Sequence, residues 1–374
     1  MAALPDRRRP QRRGALFLDA ERVAAAPGQV PSLDGLRAVS VLLVLFAHIV
    51  NEKYFPGGLG VLIFFLISGF LITRLLFAEF KSTGAVSLEK FYVRRVLRLV
   101  PAIVAFTIVV VAAFEIFLPD QIHAIEPISA LAYFANYLYA DYSVRHAAAS
   151  MPFQVFWSLA VEWHFYMVFP AAFLVLRGNA RSVLVLVASV CAVSLLVRLA
   201  EGHLHPQYLS TYYFYFRSET RMDSIATGVL IAAACELDGG RRAVLYLSRP
   251  LFVGLALIVV AGCLALRDPW FRETIRYTLL NMACAVLLCA VVFRAELPAV
   301  NRVLNTAVLV WIGELSYSLY VWHEGVSRAV SGFLPHLAKA VQIPLIFSAC
   351  FAAAAASYYL IEQPVRKWGG RFTR

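Results

Sequence analysis

The sequence predicts an all-α polytopic integral membrane protein with about ten transmembrane helices, and three observations predict it. Hydrophobic residues make up 61% of the 374-residue chain and charged residues only 15%, whereas a soluble domain carries about 25% charge. Mean hydropathy is +0.71. Apolar runs of roughly 17–25 residues, each long enough to cross a bilayer, recur from Arg37 to Ile361. No stretch between them is large enough to bury a soluble core of its own.

The runs place spans near 34–52, 58–78, 97–118, 155–176, 181–200, 212–235, 249–266, 275–293, 307–328 and 340–361. A further apolar patch, 128–140, is too short to cross, and charge decides where it belongs. With a cytoplasmic N-terminus and ten crossings, the cytoplasmic segments 1–35, 79–98, 177–181, 236–249, 294–302 and 365–374 hold 22 of the 34 Lys and Arg residues. The outer loops hold five: Lys53, Arg145, Arg267, Arg272 and Lys339. This is the positive-inside split. A crossing at 128–140 would invert every later loop, so the patch is expected to be re-entrant or interfacial on the outer side, with both termini cytoplasmic. The expected organisation is a basic N-terminal arm (1–30), a transmembrane domain (31–367) and a short basic cytoplasmic tail (368–374). The arm lacks the apolar stretch of a cleaved signal peptide.

The same split accounts for the net charge of +11 without nucleic acid as a partner; the basic loops meet membrane lipid instead. Cys191, Cys235, Cys263, Cys284, Cys289 and Cys350 all lie in or at the edge of apolar runs. They show neither a disulfide framework nor metal spacing and read as small hydrophobes. No metal is expected.

Ionisable groups inside lipid cost several kcal/mol and are functional candidates by default. Arg37 and His48 lie eleven residues apart on the first span, about 20° apart around the helix and about 16 Å along it. Arg37 is expected at the inner mouth and His48 in the outer half. Glu162 and His164 on the fourth span, Glu219, Arg221 and Asp223 on the sixth, and His323 and Glu324 on the ninth fall at a similar depth. An internal ion pair of Arg221 with Asp223 or Glu219 is the plainer reading of that trio. Arg94, Arg95 and Arg98 form one basic face where the third span begins. Guanidinium forks suit phosphate, although a topology determinant beside anionic lipid would carry the same cluster.

These residues resemble acyltransferase family 3, the membrane acyltransferases that modify glycans and other acceptors. Ser32-Leu33-Asp34-Gly35-Leu36-Arg37-Ala38 with His48 is similar to its opening block, and Gly57-Gly58 through Ile63-Phe64-Phe65-Leu66-Ile67-Ser68-Gly69-Phe70-Leu71-Ile72-Thr73 to its second. Phe91-Tyr92 with Arg94, Arg95 and Arg98 resembles its basic motif. Trp157-Ser158-Leu159-Ala160-Val161-Glu162, Arg221-Met222-Asp223, Ser316-Tyr317-Ser318-Leu319-Tyr320-Val321-Trp322-His323 and Ile361-Glu362-Gln363-Pro364 resemble the later blocks in order.

The resemblance implies O-acyl transfer from cytoplasmic acyl-CoA, most often acetyl-CoA, to a hydroxyl of a glycan, lipid-linked sugar or other acceptor, at a bacterial cell (inner) membrane. Arg94, Arg95 and Arg98, with Arg37, would hold the donor phosphates. His48 would act as general base or as a transient acyl carrier, with Glu162 orienting it. Arg221, Asp223 and His323 are the candidate acceptor-binding groups. Two departures matter. The family commonly continues its Glu162 block with a second Glu and a Gln, where this chain has Trp163-His164. Larger relatives carry a fused extracytoplasmic hydrolase-like domain, which is not expected here. The competing class is a proton-coupled transporter or flippase using the buried groups as a relay, but no inverted repeat or matched pair of broken helices is visible.

Overall fold

The computed structural model describes residues 30, 32–118, 122–145, 152–293 and 298–371, and the statements below concern these residues. All but one residue of the basic N-terminal arm lies outside them. The described chain is helical, with no strand.

The first expected span forms α1 (Leu33–Ile49), with Asp34 in its first turn, where a carboxylate faces unpaired amides. α2 (Gly57–Thr83) ends at Gly84, whose φ of 77° provides the left-handed stop. α3 (Leu88–Phe117) starts at Ser87, whose hydroxyl accepts the Lys90 amide at 3.3 Å.

Two short helices follow, α4 (Ile125–Leu131) and α5 (Ala135–Val144), joined through Tyr133 at φ 56°. At 7 and 10 residues neither reaches across a bilayer by itself.

α6 (Phe156–Val175) and α7 (Ala180–Leu204) are long apolar helices. A 3₁₀ turn at Pro206–Ser210 and the single turn α8 (Tyr213–Phe216) lead into α9 (Ser218–Ala234). α10 (Asp238–Leu247) meets α11 (Pro250–Ala265) at a bend of 68°. Then come α12 (Pro269–Glu273), α13 (Ile275–Phe293), α14 (Pro298–Leu304), α15 (Ala307–Glu314), α16 (Ser316–Phe333) and α17 (Lys339–Ser357). A π turn at Tyr358–Glu362 joins α17 to α18 (Gln363–Gly369).

Every expected span is helical. Length and hydropathy together pick out six as able to cross: α2, α3, α6, α7, α13 and the run Lys339–Gly369, or seven if α10–α11 is one broken span. The others are short or interrupted. α1 and α9 have 17 residues each. Extended backbone at Arg217 separates α8 from α9, and the ninth expected span breaks between α15 and α16 at Leu315.

One packing relationship positions the site. Gly69 on α2 and Gly228 on α9 face each other so closely that a Cβ on Gly69 would overlap the Ile225 carbonyl, and one on Gly228 the Leu66 carbonyl. Small residues let helix backbones approach where lipid offers no hydrophobic drive. The contact locks the element carrying Ser68 against the one carrying Arg221.

Candidate active site

Two cavities penetrate the bundle. One, of about 320 Å³, lies level with the start of α1 and is lined by Arg37, Arg74, Arg95, Arg98, Glu162 and Tyr166 among others. Arg95 sits over the Tyr166 ring at 5.3 Å and the Phe91 ring at 5.4 Å, so aromatic faces hold its guanidinium within the wall. Glu162 accepts hydrogen bonds from the Ser68 and Tyr166 hydroxyls, which also contact each other. Four arginines around one carboxylate leave this cavity cationic.

The second cavity, of about 1230 Å³, lies level with the end of α1 and includes His48 in its wall. The His48 side chain is 38% exposed. Val61 and Tyr320 line both cavities, so they form the boundary between the two. The Tyr320 hydroxyl donates to the Val155 carbonyl at 3.0 Å and lies 2.7 Å from Ser158 Oγ, which pins this boundary to the start of α6.

His48 is embedded in a polar chain. Its Nδ1 lies 2.8 Å from His323 Nε2, and His323 Nδ1 lies 2.7 Å from the Tyr320 carbonyl. A carbonyl can only accept, so His323 Nδ1 carries a proton and, in the neutral ring, Nε2 offers a lone pair. His48 Nδ1–H therefore donates to His323, and in a neutral His48 ring Nε2 is then the nitrogen that carries the lone pair. Glu324 Oε2 lies 3.5 Å from His48 Nδ1, and Glu324 Oε1 accepts from Arg328 Nε at 2.8 Å. Such a chain orients one imidazole, presents its free nitrogen as a base and places a carboxylate where an imidazolium would form. The ligand atoms of His48, His323 and Glu324 also lie within 4.8 Å of one another, a spacing that a metal ion could bridge. The hydrogen bond between the rings satisfies two of those atoms without one.

The expected site residues distribute unevenly. Arg37, Arg95 and Arg98 meet in the smaller cavity, whereas Arg94 is outside its wall and pairs with Glu79 at 3.2 Å. Contrary to expectation, Glu162 belongs to the arginine-lined cavity, and among the described residues the groups beside His48 are His323 and Glu324. His323 thus stands behind His48, and its side chain is fully buried. Asp223 is committed to Arg198 at 2.8 Å. Arg198 also donates to the carbonyls of Thr274 and Thr220, at 2.9 and 2.5 Å, and to Thr278 Oγ1 at 2.7 Å. Neither expected partner pairs with Arg221, since Asp223 is held by Arg198 and Glu219 by Arg217, and Arg221 faces the larger cavity. Trp163 stacks on Tyr133 at 4.6 Å, and His164 Nδ1 lies 2.7 Å from Ser218 Oγ. Both tie α6 to its neighbours, and neither lines either of these two cavities. Sequence reasoning passed over the roles of Tyr320 and Arg328; the Glu324–Arg328 i,i+4 spacing was the one local signal.

Fold and site together define a multi-pass helical membrane protein in which an arginine-lined pocket backs onto a histidine–carboxylate cluster. Residues 30–362 match the family described as Acyltransferase domain, acyltransferase family 3, and the chain belongs to it. It is 31% identical over 365 residues to the O-acetyltransferase OatA of Staphylococcus aureus strain NCTC 8325 / PS 47, and equally to that of strain COL. These alignments cover 92% of this chain and 58% of each relative, so the chain spans less than two thirds of the length of the relatives it matches. No solved structure matches it.

Proposed function

We propose that this chain is an O-acyltransferase of a bacterial cell membrane. It moves an acetyl group from acetyl-CoA on the cytoplasmic side to a hydroxyl of a glycan or lipid-linked sugar on the other. One observation carries the reading: an arginine-lined cavity and a cavity holding His48 share the wall formed by Val61 and Tyr320. Family membership supports it, as does the printed activity of the Staphylococcus aureus relatives.

In this reading Arg37, Arg95 and Arg98 hold the donor phosphates, and the pantetheine arm extends toward Tyr320. The acceptor hydroxyl enters from the larger cavity. Its oxygen attacks the thioester carbonyl while His48 Nε2 takes its proton. The C–O bond forms, the C–S bond breaks, and the departing thiolate recovers the proton from the imidazolium. His323 fixes the tautomer, and Glu324 stabilises the charge. The same free Nε2 would also be the nucleophile of a transient acyl-imidazole.

The test uses the purified chain in nanodiscs with radiolabelled acetyl-CoA and cell-envelope glycans. Label should move to glycan in wild type and not in His48→Ala. Movement of the sugar across vesicles with no acyl donor present would instead establish the relay transporter.

A further inference from the structure

Arg221 is only 1% exposed, yet its Nε, Nη1 and Nη2 have no hydrogen-bond partner among the described residues. Five donors on a buried guanidinium are costly to leave unmade. Its surroundings are the rings of Tyr277, Tyr215 and Trp157, at 4.2, 5.1 and 5.9 Å from the guanidinium carbon. Aromatic faces accommodate the charge but leave its in-plane hydrogens unused. The side chain belongs to the wall of the cavity that holds His48.

The charge around it is mostly of the same sign, with Glu273 a carboxylate that interacts with Arg221, Arg272 and Arg276. Arg272 and Arg276 line the same cavity, and each has a buried Nε without a partner. In all, the wall carries six cations against three carboxylates, and one of those carboxylates, Glu324, is already bonded to Arg328. On the expected topology the outer loops hold only five Lys and Arg residues, and three of them, Lys53, Arg267 and Arg272, line this cavity. The positive-inside rule disfavours cations there, so their concentration at one cavity has a local cause.

We propose that the larger cavity recognises an oxyanion on the acceptor, received by Arg221 with Arg272 and Arg276, and that the acceptor is therefore an anionic saccharide. A planar guanidinium matches carboxylate or phosphate with two parallel hydrogen bonds. The ring faces of Trp157, Tyr215 and Tyr277 supply apolar surface for the sugar beside that anion. The inference rests on the acyltransferase reading for the word acceptor, while the anion site itself does not.

Binding of three trisaccharides of equal length to the full chain in nanodiscs tests it: one neutral, one with a carboxylate, one with a phosphate monoester. The anionic sugars should bind about 10- to 100-fold more tightly than the neutral one, the range of a charge-assisted pair. Arg221→Gln should bring that ratio close to one, and Arg221→Lys should restore part of it. The carboxylate and phosphate arms distinguish an acidic sugar from the phosphate of a lipid-linked one. Equal affinity for neutral and anionic sugars, or a preference that survives Arg221→Gln, overturns the proposal. Should Arg221→Gln fail to fold, competition by inorganic phosphate against each anionic sugar on the wild type decides the matter; no competition overturns it. Acetyl-CoA binding is measured separately. Its absence would remove the acyltransferase reading and leave the anion site standing.

Discussion

His48 Nδ1 lies 2.8 Å from His323 Nε2, and the two rings stack with centroids 5.1 Å apart at 22°. Because His323 is held through its other nitrogen by the Tyr320 carbonyl, the pair has a direction, and His48 Nε2 is its free end. His48→Ala should lower acetyl transfer by about 10²–10⁴-fold, the usual contribution of a general base, while the protein still inserts into membranes. His323→Ala should lower kcat by a smaller factor, since it removes orientation and leaves the base. Steady-state kinetics on both variants separate the two roles. A His48→Ala enzyme of normal rate would remove the imidazole from the mechanism.

Donor binding is predicted to depend on Arg95 and Arg98 and much less on Arg94. The first two line the smaller cavity, whereas Arg94 pairs with Glu79 outside it. Arg95→Ala should raise KM for acetyl-CoA by about 10-fold or more, as expected when one charge-assisted hydrogen bond to a phosphate is lost. Arg94→Ala should change it little. Equal effects from both would place the phosphates elsewhere.

The boundary residue Tyr320 makes a different prediction. Its ring lies in the walls of both cavities, and its hydroxyl is tied to Val155 and Ser158. Tyr320→Phe keeps the ring and loses the tie, so transfer should fall only modestly. Tyr320→Ala opens the wall and should raise acetyl-CoA hydrolysis relative to transfer, because water then reaches the thioester. The ratio of hydrolysis to transfer is the measurement, and an unchanged ratio would show that Tyr320 does not separate the two spaces.

Run length made the all-helical, multi-pass architecture legible, because a bilayer imposes a length on every span. Which carboxylate meets His48 was not legible. Its ring partner is 275 positions away, and Glu162, Glu219 and Glu324 were equivalent by depth alone. The Arg221–Asp223 pair could have been doubted beforehand. Residues two apart point to different sides of a helix, so each was free to serve another partner, and Asp223 reaches Arg198 on α7. Arg94 likewise shares a helix face with Arg98, but Glu79 on the preceding helix captures it, a contact that no local pattern reveals.

The histidine cluster carries a prediction about metal. If its hydrogen bonds are what orient His48, extensive treatment with EDTA should leave acetyl transfer unchanged. Loss of activity restored by a divalent cation would instead make His48, His323 and Glu324 ligands, consistent with their spacing of 4.8 Å or less.

The last prediction concerns the segment between α3 and α6. Glu126 on α4 is fully buried, and neither carboxylate oxygen has a hydrogen bond among the described residues. Burial pushes its carboxyl from 4.5 up to about 7, with the nearby His123 amide offsetting only part of the shift. The folded state therefore holds a proton that the unfolded chain releases near pH 4.5. Linkage gives the sign: this contribution to stability is complete below about pH 4.5, declines as pH rises through the window to about 7, and is absent above it. Glu126→Gln keeps the shape of the protonated acid and cannot ionise, so it should lack this component. Thermal unfolding in detergent at pH 5, 6, 7 and 8 should show the wild type losing ground against Glu126→Gln up to about pH 7 and levelling off beyond it, by a few degrees in all. Parallel curves across that range would mean that Glu126 is charged or solvated in the folded protein, and that α4 packs less deeply than its buried face indicates.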